Sequence, residues 1–135
     1  MWPSESFVPV STIEFDGIDL LVDGKTIASR IGTGQTRPVT VAYPEPWLHL
    51  LPETPPDGRS GRKALYVCSM CADLGCGGLL CIVEAHGAKV VWRDFAWDAT
   101  VGDHDAQNYP EVGPFLFERS AYEAALEELR NARQI

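Results

Sequence analysis

The first third of the chain alternates apolar and polar side chains: Ile13 and Phe15, then Ile18, Leu20 and Val22, with Asp16-Gly17 and Asp23-Gly24 as turn formers. A period of two sets one face of each run on a core, which predicts a short β-meander. Thr40-Val41-Ala42-Tyr43 predicts another strand, ended by Pro44-Glu45-Pro46 because proline cannot donate to a ladder. Residues 25–36 fit a helical turn or a strand equally and carry no assignment.

A stretch rich in proline and glycine at 52–62 has no large apolar side chain and predicts a surface loop. Beyond it, Ala64 to Val67, Gly78 to Ala85 and Lys89 to Phe95 are dense in β-branched and aromatic residues. Their spacing predicts three sequence-adjacent antiparallel strands, the last two joined by a turn at His86-Gly87-Ala88-Lys89. The C-terminus changes period. Tyr122, Ala125, Leu126, Leu129 and Ala132 fall on one helical face, and Ser120 with Glu123 has the spacing of a capping box, predicting a helix over 121–133. The expected fold class is α+β: an antiparallel sheet of about five or six strands with the C-terminal helix packed on one face.

Length and composition narrow this. The 135 residues, 45% apolar, suit one domain that buries a core without disulfides or metal. The longest apolar run, Leu79 to Val83, is far too short to cross a bilayer, and the N-terminus carries no signal-peptide pattern, so a cytosolic protein without membrane contact is expected. The net charge of −8 opposes nucleic-acid binding, which needs a Lys/Arg surface. Much of that charge has one location. From Asp94 to Glu118 there are six carboxylates and no Lys or Arg, interleaved with five aromatic rings.

Four cysteines lie within one short window, Cys68, Cys71, Cys76 and Cys81, spaced C-x2-C-x4-C-x4-C. This spacing resembles a zinc knuckle with Cys76 in place of the histidine and Gly75 before the third ligand. The resemblance implies a closed Zn2+ site of four thiolates. Small buried hydrophobes at a strand–loop–strand crossing, or redox thiols, are the other readings of the same residues. Cys81 falls within a predicted strand, where alternation sets the direction of its side chain.

The pattern Val67-Cys68-x-x-Cys71-x-Asp73-Leu74-Gly75-Cys76-Gly77, followed by Val91-Trp92-Arg93-Asp94-Phe95 and Gly113-Pro114-Phe115-Leu116-Phe117-Glu118-Arg119 with Tyr122, resembles a group of small uncharacterised bacterial proteins, some labelled oxidoreductases. The resemblance covers roughly residues 64–130 and implies strands with a final helix, and no established activity.

The three histidines lack ligand spacing, Gly75 to Gly78 lacks a phosphate-binding frame, and Asp103-His104-Asp105 lacks the glycine and closing glutamate of a calcium loop. No catalytic set assembles along the chain. The expectation is therefore a non-enzymatic protein-binding domain, of which an immunity- or antitoxin-like inhibitor of a basic protein is the concrete case. Its partner-binding candidates are Trp97, Asp98, Asp103, Asp105 and Tyr109, aromatic anchors beside steering carboxylates. The alternative is a zinc or thiol-redox protein centred on Cys68 to Cys81.

Overall fold

The structure is a computed structural model, and it describes residues 9–17, 19–31, 36–38, 50–55, 61–68, 78–98 and 107–133. The elements in order are β1 (Ile13–Phe15), β2 (Leu20–Val22), α1 (Ile27–Ile31), β3 (Thr36–Pro38), β4 (Lys63–Cys68), β5 (Gly78–His86), β6 (Lys89–Asp98), β7 (Gln107–Asn108), β8 (Phe115–Glu118) and α2 (Arg119–Arg133). The strand expected at 40–43 lies outside the described residues.

The alternation of residues 13–22 forms a separate antiparallel hairpin, with Ile13 opposite Val22. After it, Asp23 and Gly24 both take positive φ, a conformation Asp tolerates and Gly adopts freely. Within the unassigned stretch Ile27–Ile31 form α1, and Thr36, its last residue, begins β3. The main sheet has six strands in the order β3-β4-β5-β6-β7, with β8 also pairing β6. Its long central pair, β5 and β6, is the predicted hairpin, turned at Gly87. This is the expected α+β architecture, with α2 against one sheet face and in contact with β1, β6 and β8.

Helix α2 begins at Arg119, directly after β8, two residues before the predicted start. Glu123 accepts from Arg119 Nε at 2.9 Å. Tyr122, Ala125, Leu126 and Leu129 are buried, as their period demands.

An aromatic cluster fills the space between helix and sheet. The Trp92 ring meets Phe117 and Tyr122 edge-on, at centroid distances of 5.1 and 6.0 Å. Its Nε1–H donates to Tyr122 Oη at 3.1 Å, and that hydroxyl donates to the Leu50 carbonyl at 2.5 Å. Three buried polar groups thus satisfy one another in sequence. The loop expected at 52–62 is anchored at its start: buried Lys63 donates to the Leu51 carbonyl and, at 2.8 Å, to Thr54 Oγ1.

Strand β6 departs from simple alternation. Leu80 pairs with Ala96 and Ile82 with Arg93, so two residues, Asp94 and Phe95, stand opposite Cys81. This is a β-bulge with Asp94 at φ 56°. Strict alternation after Val90 and Trp92 would send Asp94 into the core and Phe95 out. The extra residue reverses that parity, so Phe95 is buried and Asp94 is exposed.

Candidate functional site

The bulge opens a cleft. Strand β8 covers β6 over Lys89–Trp92 and β7 covers it at Ala96 and Trp97, which leaves Arg93, Asp94 and Phe95 between the two pairings. The chain from Tyr109 to Pro114 arches over that gap. It is tied down where the Tyr109 N–H donates to the Phe95 carbonyl at 2.9 Å, and it closes on itself where the Val112 N–H donates to the Tyr109 carbonyl at 3.1 Å. Gly113, at φ 75°, lies on the Phe95 ring; a Cβ there would come within 2.9 Å of it. Only glycine lets the arch sit this close.

The resulting open cleft has a volume of about 980 Å³. Phe95, Tyr109, Pro110, Val112 and Pro114 give it an apolar wall, and Arg62, Glu84, His86, Arg93, Asp94 and Asn108 give it a polar one. Arg93 joins two of the acids: its Nε donates to Glu84 Oε1 at 2.6 Å and its Nη1 to Asp94 Oδ2. The Arg93 hydrogen bond holds the Glu84 carboxyl below the usual range, against a smaller opposing effect of burial. His86 Nε2 stands 3.5 Å from the same Glu84 oxygen. From β4's leading end, Arg62 Nε donates to the Asp94 carbonyl at 2.6 Å, which the bulge takes out of the ladder, and Nη2 reaches Asn108 Oδ1 at 3.2 Å.

Among the described residues the cleft has no Ser, Thr, Cys or Lys in its lining. Glu84, held ionised, is no proton donor near neutral pH. The arrangement offers hydrogen bonds, charge and aromatic surface, which are means of binding.

No family model, curated protein or solved structure matches the chain.

Of the partner-binding candidates, Tyr109 lines the cleft, half-buried and packed on the core. Trp97 is also half-buried against the core and does not line it. Asp98 is the last residue of β6, and Asp103 and Asp105 lie outside the described residues. The cysteines divide similarly. Cys68 ends β4 and Cys81 lies in β5, while Cys71 and Cys76 lie outside the described residues. Cys81 pairs with Lys63, five residues along β4 from Cys68. At ~3.3 Å per residue that is about 16 Å, beyond what two thiolates ~2.3 Å from one zinc can span. The structure does not bring Cys81 to Cys68. Cys81 is fully buried, and burial pushes its thiol far up from the usual range.

Reading the residues one at a time missed Arg62, Glu84, His86, Arg93 and Asp94. Two signals were present. Glu84 and His86 are two apart on a strand and share a face, and the charged pair Arg93-Asp94 interrupts an apolar alternation that resumes one residue late at Phe95.

Proposed function

We propose that this chain is a non-enzymatic binding domain that engages a basic protein partner through the cleft over the β6 bulge and the acidic, aromatic stretch from Asp94 to Glu118. Inhibition of a basic toxin by an immunity-like protein is the concrete form of that activity. The observation that carries the reading is that Asp94, Phe95 and Tyr109, all from the acidic aromatic stretch, line one cleft with Glu84. Aromatic surface supplies affinity at low entropic cost, and carboxylates steer and select a cation. The net charge of −8 accelerates encounter with a basic molecule.

The reading is tested by affinity capture with the immobilised chain in parallel with its Asp94→Asn/Tyr109→Ala variant. The expected result is a basic protein retained by the parent, lost from the variant and eluted by salt. Capture that the variant leaves unchanged, or no basic protein at all, would refute it.

A further inference from the structure

Resting on that reading, we propose that the cleft is a seat for one arginine side chain of the partner, its guanidinium on the carboxylates of Glu84 and Asp94 and its stem along Tyr109. The protein's own Arg93 shows that the two acids converge on a single guanidinium. Each acid spends one oxygen on it. Among the described residues, none donates a hydrogen bond to Glu84 Oε2 or Asp94 Oδ1, and the two side chains remain 34% and 51% exposed. Two partly exposed carboxylates beside a half-buried tyrosine in one cleft match a planar, cationic donor that also stacks. Lysine offers a point charge without the fork or the flat face, so it fits less well.

An anionic ligand is the competing occupant, since Arg62 and Arg93 are also present. Both, however, direct donors inward, Arg62 to the Asp94 carbonyl and Asn108, Arg93 to Glu84 and Asp94. The net charge of −8 also disfavours an anion.

The test is an amide chemical-shift titration of the full chain with N-acetyl-arginine amide, N-acetyl-lysine amide, acetate and inorganic phosphate. Arginine amide is expected to shift the Asp94, Phe95 and Tyr109 signals saturably, with lysine amide several-fold weaker. Asp94→Asn, which keeps a residue tolerant of the left-handed backbone, is expected to weaken arginine about tenfold, the loss of one charge-assisted hydrogen bond. Glu84→Gln should act alike, and Tyr109→Ala should remove the preference over lysine. Spectral dispersion of each variant reports that it is folded. Shifts caused by phosphate or acetate in place of arginine, or arginine binding unchanged in both acid variants, would overturn the seat. A basic partner that depends on the cleft while arginine amide does not bind removes the seat and leaves the binding reading; arginine amide bound at the cleft with no basic partner does the reverse.

Discussion

A single inserted residue determines where the polar chemistry of this protein lies. Asp94 takes a backbone conformation uncommon outside glycine, and by doing so it keeps its carboxylate and that of Glu84 on one guanidinium. Cys81, directly opposite, is its counterpart in the core: fully buried, with a thiol that burial keeps protonated. Iodoacetamide labelling mapped by mass spectrometry is therefore expected to leave Cys81 unmodified in the folded protein and to modify it in urea. Labelling of folded Cys81 at the rate of a free thiol would contradict its burial and reopen the thiol-redox reading. Its strand position was legible from the run Leu79 to Val83; its distance from Cys68 was not, because register belongs to the pairing of two strands.

Among the elements, the joint between α2 and the sheet has the clearest consequence. Helix position follows from the period of Tyr122, Ala125, Leu126 and Leu129, a local property that sequence expresses fully. Yet Tyr122 also accepts from Trp92 and donates to Leu50, groups 30 and 72 residues away. Tyr122→Phe keeps the ring and strands a buried N–H and a buried carbonyl, so it is expected to destabilise by about 1–3 kcal/mol. The measurement is the urea midpoint at unchanged m-value. A change within error would mean that water takes the hydroxyl's place. The same distinction explains α1 and β3: neither has enough period to declare itself, and each exists because of what it packs or pairs against. Pairing with β4 defines β3.

At the scale of the molecule, the separate hairpin is fastened to the sheet by a polar contact. Tyr66 Oη donates to Asp19 Oδ2 at 2.7 Å and accepts from the Ala28 N–H at 3.4 Å, joining β4, β2's leading end and α1. Burial raises the Asp19 carboxyl above its ordinary range, outweighing the hydrogen bonds from Tyr66 and the Leu20 N–H. The folded state therefore holds this proton more tightly than the unfolded chain. Between the unfolded value of about 3.9 and the raised folded value, stability falls as pH increases, and Asp19's contribution is constant above that window. Asp19→Asn should remove this component, so the stability difference between parent and variant should vary with pH across the window; a constant difference would show that Asp19 does not titrate abnormally. By itself the sequence determined the class of fold, the central hairpin, the C-terminal helix and the acidic, aromatic character of one stretch, because periodicity and composition are local. Only the tertiary structure decided that β7 and β8 share one edge of β6, that the bulge between them exposes Asp94, and that Arg62, Glu84 and Tyr109 meet there. Those facts depend on which strands pair and in what register, and pairing is decided by the sum of burial across the whole chain.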